Sequence, residues 1–141
     1  MVGTFQGITF IDDSISTIPE STMVALETYP QTDILILGGK DRGIPYETFV
    51  EELSKKLNLK IFCLDETGKK IYNLLLGTNS TSQNYFLFDN LEEIVKKSYE
   101  VLSLSGGMVL LSPAAASFTQ FKNFEERGEV FKNLVQKFGT E

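Results

Sequence analysis

Three short segments bring acidic, hydroxyl and cationic side chains next to small residues, each directly after an apolar run: Asp12-Asp13-Ser14-Ile15-Ser16-Thr17, Gly38-Gly39-Lys40-Asp41-Arg42-Gly43 and Ser112-Pro113-Ala114-Ala115-Ala116-Ser117. The chemistry they suit is the binding of an anion. In the first, the hydroxyls stand at the head of a helical segment, where unpaired N–H groups and the helix dipole favour a carboxylate or phosphate. In the second, a glycine pair opens the backbone beside Lys40 and Arg42, and Arg42 can hold a carboxylate through two parallel donors. In the third, small side chains let a ligand approach the main chain, and Ser117 adds a hydroxyl near the start of the last helix. Each segment also has a structural reading. Asp, Ser and Thr cap helices, a glycine pair permits positive φ in a tight turn, and Ser-Pro-Ala can be only a connection. Three such segments meeting at one crevice favour the binding reading.

The residues absent from the chain narrow the chemistry further. There is no histidine, which removes His-based triads together with the commonest general base and metal ligand. The one cysteine, Cys63, lies between apolar residues in IFCL, reads as a buried inert thiol, and cannot form an intramolecular disulfide. No G-x-x-x-x-G-K-[ST] phosphate loop is present to hold the phosphates of ATP, and no metal site is expected. The net charge of -6, with cations scattered among acids apart from Lys55-Lys56, Lys69-Lys70 and Lys96-Lys97, argues against a nucleic-acid partner.

The elements that must position the three segments follow from hydrophobic patterning. Apolar runs at residues 7 to 11, 33 to 38, 59 to 64, 84 to 88 and 107 to 112 read as strands. They are nearly continuous in apolar character, as strands covered on both faces require. Between them lie helical segments. The first is expected to start with Thr17 as N-cap, Pro19 in the first turn and Glu20 completing a capping box, burying Met23 and Leu26. The second places Phe49, Val50, Leu53 and Leu57 on one side. The third runs from about Thr67 to Leu76 through Ile71, Leu74 and Leu75 and stops at Gly77. A polar surface loop, 78 to 84, follows. The fourth carries Leu91, Ile94, Val95 and Leu102, and the last Phe124, Phe131, Leu134, Val135 and Phe138 across Gly128. Strand–helix alternation with short connections implies right-handed crossovers, hence an α/β fold in three layers with a mostly parallel sheet of about five strands. Ligands of such sheets bind outside the carboxyl ends of the strands, so the strands before the three segments (first, second and fifth) are expected to be neighbours.

The 141 residues, 42% of them hydrophobic and 23% charged, suit one compact domain over residues 1–141. The longest apolar stretches, such as Ile34 to Leu37, fall far short of the roughly 20 residues that span a bilayer. Neither a membrane nor a secretory signal is read, and a cytoplasmic location and a monomer are expected. The first strand begins almost at residue 1, which suggests either a very compact start or a chain whose N-terminal neighbour has been removed.

The stretches FIDDSISTIPEST, LILGGKDRG and LLSPAAASFTQFKNFEERGEVF closely resemble the C-terminal domain of the Mur ligases, and within them the D-glutamate-adding branch. The last is the most specific, matching the Ser-Pro-Ala segment, a Ser, a polar pair, Phe-Lys-Asn-Phe and Glu-x-Arg-Gly almost throughout. The resemblance covers essentially the whole chain. It implies a Rossmann-like domain that binds the incoming amino acid in a three-domain, ATP- and Mg2+-dependent ligase of peptidoglycan synthesis. There D-glutamate is added to UDP-N-acetylmuramoyl-L-alanine, whose alanyl carboxylate is activated as an acyl phosphate. The ATP-binding central and UDP-substrate N-terminal domains, the partners of this one, lie outside the chain, so the chain alone is expected to be inactive. Residue by residue, the resemblance places Thr17 and Ser117 on the D-glutamate side-chain carboxylate, Phe124 beside it, and Arg42 where the family often has Lys. Asp13, with Ser14 beside it, falls near the ATP ribose, and Gly38, Gly39, Lys40, Asp41, Ser112 and Pro113 form the supporting loops. The family's antiparallel strand before the first parallel one corresponds to Val2 to Phe5, truncated here. The chain departs from the family at Ile15, where some members have Lys, at Ala115, where Cys is common, and at Asp12, a frequent Asn.

Two other classes fit less well. A receiver-like signalling domain has an acidic pair after its first strand, as in Asp12-Asp13, and Asp65 stands near its acceptor position, but SPAAAS lacks the Lys that ends its fifth strand. A dinucleotide-binding domain needs G-x-G-x-x-G after the first strand, where this chain has DDSISTI.

Overall fold

The computed structural model describes residues 1–78, 82–117 and 121–140. Six strands, β1 (Gly3–Phe5), β2 (Ile8–Asp12), β3 (Ile34–Gly38), β4 (Lys60–Leu64), β5 (Tyr85–Phe88) and β6 (Gly107–Leu111), form one sheet in the order β1-β2-β6-β3-β4-β5. All pairings are parallel except β1 with β2. Those two are joined by Gln6-Gly7, both at positive φ as a tight two-residue hairpin demands.

Five helices, α1 (Pro19–Thr28), α2 (Glu47–Ser54), α3 (Asp65–Leu76), α4 (Leu91–Leu102) and α5 (Phe124–Gly139), connect the strands. Alternation along the strands divides the core in two. Ile11, Leu35, Leu37, Ile61, Cys63 and Leu110 face one way, into a cluster shared with α1, α2 and α3. Ile8, Phe10, Ile34, Ile36, Phe62, Val109 and Leu111 face the other, with Ile94, Val95, Phe131 and Val135 of α4 and α5. This is the three-layer α/β arrangement read from the sequence. The first, second and fifth parallel strands, β2, β3 and β6, are neighbours as expected, with β6 in the middle. Counting parallel strands alone gives 1-5-2-3-4, which differs from the 2-1-3-4-5 order of receiver-type domains. Winding away from β3 and back to β6 puts three helices on one face and two on the other, and the reversal falls at the carboxyl end of β6.

Several local expectations are corrected. The N-cap of α1 is Ile18, in extended conformation and without a side-chain cap, so Thr17 does not cap the helix; Pro19 at the first position starts it. Leu57 lies beyond the end of α2 and is 68% exposed, because the helix stops at Ser54 before the apolar spacing runs out. The third helix starts two residues earlier, at Asp65, and Gly77 closes it with a negative φ, without a left-handed cap. In the loop after it, Ser82–Asn84 form a 3-10 turn and residues 79–81 lie outside the described residues. No described helix is long and apolar enough to cross a membrane.

Candidate functional site

The three loops that leave β2, β3 and β6 meet above the middle of the sheet and hold one another through main-chain bonds. Asp13 N–H donates to Leu111 O at 2.7 Å, Ala114 N–H to Ser16 O at 3.0 Å, Gly38 N–H to Pro113 O at 3.0 Å and Lys40 N–H to Ala116 O at 2.8 Å. The glycine pair makes the last two possible. A Cβ on Gly38 would lie 1.9 Å from Leu64 O, and one on Gly39 2.0 Å from Ala116 O. Gly38-Gly39 is therefore not the backbone opening read from the sequence: both residues are buried, and the space at Gly39 is filled by the neighbouring loop. Ala114 sits at φ 60, a conformation disfavoured for a side chain. Its carbonyl accepts a 2.6 Å hydrogen bond from the Tyr46 hydroxyl, which fixes it. Burial pushes the Tyr46 phenol up to about 12.

Between these loops lies a cleft of about 280 Å3 lined by Thr17, Ile18, Arg42, Ile44, Ala116, Ser117, Asn123 and Phe124. Thr17, Arg42, Ser117 and Phe124, drawn from four separate segments, thus share one cavity. Ser117 is 3% exposed, Thr17 and Phe124 half-buried and Arg42 exposed, giving a polar floor under a solvent-facing cation. Ile18, Ile44 and Phe124 supply apolar walls. Two helix N-termini border the cleft: Ile18 precedes α1, and Asn123 caps α5 by accepting from Glu126 N–H at 2.8 Å. Both helix dipoles present their positive ends there. Arg42 is the cation at the mouth, and the loop bearing it is tied back by Asp41, which accepts from Gly43 N–H at 2.9 Å, and by Lys70, 3.3 Å from Ile44 O. Lys40 is exposed, and its N–H joins the bridge to Ala116.

Asp13 and Ser14 are not brought into this cleft. The Asp13 carboxylate accepts hydrogen bonds from the hydroxyls of Ser16 and Ser112, linking the β2 and β6 loops, and Ser112 also meets Thr22 at 3.1 Å. Ser14 is buried and donates both its N–H and its hydroxyl to Asp12. Larger concavities lie elsewhere. One of about 410 Å3, lined by Asp12, Ile15, Phe124, Glu129 and Lys132 among others, shares the Phe124 wall. Another of about 560 Å3 lies around Tyr29, Asp33 and Leu59, at the amino ends of β3 and β4, away from the converging loops. No group of three or more acidic, Cys or His residues able to hold a metal occurs among the described residues.

The sequence reading missed Arg127. It stands within Glu-x-Arg-Gly, on a helix where charges ordinarily face solvent, yet it is 3% exposed. Its Nη1 donates to Ala115 O at 3.0 Å and its Nη2 to Ser14 O at 2.7 Å, while the buried Nε has no hydrogen-bond partner. Burial lowers its pKa to about 10, against the opposing pull of Asp12 and Asp65, so it stays charged at neutral pH. The nearest sequence signal was the glycine beside it. A Cβ at Gly128 would lie 2.4 Å from Asp12 Oδ2, which shows how closely α5 is pressed against the first loop.

A doubly wound α/β domain of Rossmann-like form, with a hydroxyl- and arginine-lined cleft at the carboxyl ends of its central strands, defines the class to which the chain belongs. No family model matches the chain. Along almost its whole length, however, it is similar to proteins named UDP-N-acetylmuramoylalanine--D-glutamate ligase: 41% identical to that of Caldanaerobacter subterraneus over 95% of the chain, 40% to that of Aquifex aeolicus over 99%, and 37% to that of Natranaerobius thermophilus over 100%. The matches cover 29%, 32% and 30% of those relatives, so the chain spans about three-tenths of their length. It is a domain-sized relative of these D-glutamate ligases.

Proposed function

We propose that this chain is the amino-acid-binding domain, C-terminal in the full ligase, and that its cleft receives the side-chain carboxylate of D-glutamate. The convergence of Thr17, Arg42 and Ser117 on one cavity between two helix N-termini is the observation that carries the reading. A carboxylate there would meet the hydroxyls of Thr17 and Ser117 and the fork of Arg42, with Phe124 and Ile44 against the methylenes. These groups bind and orient. The domain would thereby supply the amine nucleophile for a ligase that extends UDP-N-acetylmuramoyl-L-alanine in peptidoglycan synthesis, the other substrates being held by its N-terminal and central domains.

A phosphate loop is absent from the sequence, so ATP and Mg2+ are assigned mainly to the central domain. On this chain the bonds from Ser16 and Ser112 both fall on Asp13 Oδ2, and Ser14 is buried on Asp12. A nucleotide contact at Asp13 would have to form with those bonds in place. In our reading the chain alone neither hydrolyses ATP nor forms the amide, and release of phosphate above background by the purified chain would contradict this. The direct test of the cleft is titration of the 15N-labelled chain with D-glutamate. Shifts centred on Thr17, Arg42 and Ser117 support the reading; saturable shifts centred on the amino ends of β3 and β4 would refute it.

A further inference from the structure

We infer that Arg127 is a positioning residue, a charged staple that fixes the β2–α1 loop against the β6–α5 loop and thereby sets the spacing of Thr17 and Ser117. The inference rests on the proposed cleft only in the use made of that spacing. One guanidinium reaches both loops, at Ser14 O, three residues before Thr17, and at Ala115 O, two residues before Ser117. Main-chain carbonyls are its acceptors, so the contacts constrain backbone. Its surroundings compensate the buried charge only in part: Asp12 and Asp65 favour the charged form, burial outweighs them, and Nε has no hydrogen-bond partner. An apolar side chain of similar length would fill the same space without that desolvation cost. Adjacent features show that the loop geometry is tightly set. Ala114, next to one acceptor, is at the disfavoured φ 60, and Asp12, two residues from the other, occupies the space that a Cβ on Gly128 would need. Unfilled donors and strained backbone gather where a fixed loop geometry matters more than stability. The rigid fork also explains why arginine occupies the position, since a lysine ammonium cannot present two fixed donors to two separate carbonyls.

The test compares the 141-residue chain with Arg127→Met and Arg127→Lys by amide hydrogen exchange, and by NMR titration with D-glutamate as the probe. In Arg127→Met, exchange at Ser16 and Ala114, whose N–H groups bond within and between the two loops, is expected to accelerate at least tenfold. Ile36, Phe62 and Val109 in the sheet should stay within twofold. Arg127→Lys, which keeps the charge and one bond, should fall between, and D-glutamate affinity should drop in the same order, at least tenfold for Met. The staple is overturned if Ser16 and Ala114 exchange as in the parent, or if sheet and loop amides accelerate together in both variants. A parent chain that shows no D-glutamate shifts refutes the functional reading alone, and the exchange data still decide the staple.

Discussion

Gly38→Ala tests whether the cleft depends on backbone contact between strand ends. Gly38 ends β3 at φ 136, and an added Cβ would lie 1.9 Å from Leu64 O and 2.8 Å from the Leu64 carbonyl carbon, both main-chain atoms that cannot swing aside. The backbone of β3 must therefore move away from β4. Two bonds depend on its position, Gly38 N–H to Pro113 O and Thr67 N–H to Gly39 O, each 3.0 Å. A side chain in a sparsely populated backbone region costs about 1 to 3 kcal/mol, and two lost hydrogen bonds about 0.5 to 1.5 kcal/mol each. The expected destabilisation is about 2 to 6 kcal/mol, against a typical total stability of about 5 to 15 kcal/mol. Gly43→Ala is the internal control. Its φ of 77 is equally left-handed, but no atom lies within 4 Å of the added Cβ, so it should cost only about 1 to 2 kcal/mol. Urea unfolding followed by circular dichroism measures both. A Gly38→Ala midpoint equal to that of Gly43→Ala, with unchanged slope, would show that strand-end packing does not constrain the loop.

Ser117→Ala, Thr17→Ala and Arg42→Ala should each weaken D-glutamate binding about 10- to 150-fold, the loss of about 1.5 to 3 kcal/mol for a hydrogen bond to a charged carboxylate. In the full ligase the Michaelis constant for D-glutamate should rise likewise while affinity for ATP holds, and substitutions at the exposed Glu66 and Lys69 of α3 should be silent; equal losses at those controls would move the ligand elsewhere. Burial raises both the Tyr46 and Tyr99 phenols to about 12, so the folded state keeps protons that the unfolded chain releases near the ordinary value of 10. Stability should therefore fall as pH rises from about 10 to 12, and difference absorbance titrations of Tyr46→Phe and Tyr99→Phe should each remove a late-titrating phenol; removal of an early one would contradict the burial argument. Cys63 is fully buried with its thiol pushed well above the usual range, so a thiol reagent should label it only at the rate of unfolding.

Much of the architecture was legible in one dimension because parallel strands covered on both faces must be continuously apolar and the helices between them must be amphipathic. Residues such as Ile34 to Leu37, and Ile94 with Val95, declare themselves by type and spacing alone. The rule that ligands sit at strand carboxyl ends singled out the three loops, the family resemblance picked Thr17, Arg42 and Ser117 within them, and the fold brings those residues to one cavity. Helix ends were read less well, since Ile18 rather than Thr17 precedes α1 and Leu57 continues an apolar pattern past the last helical hydrogen bond. What only the tertiary structure decided is what each polar residue faces. Asp13 reads in sequence as a turn or cap residue, which the family resemblance sets near the ATP ribose, and Arg127 drew no reading beyond its place in Glu-x-Arg-Gly. Partners far along the chain, Ser112 for one and Ser14 for the other, come within reach only because β6 inserts between β2 and β3. Gly38 and Gly39 likewise read as open backbone until Leu64 and Ala116 occupy the space a side chain would need. Hydrophobic period is a local property and survives in the sequence, whereas strand order and the pairing of buried polar groups are set by long-range contacts that no spacing records.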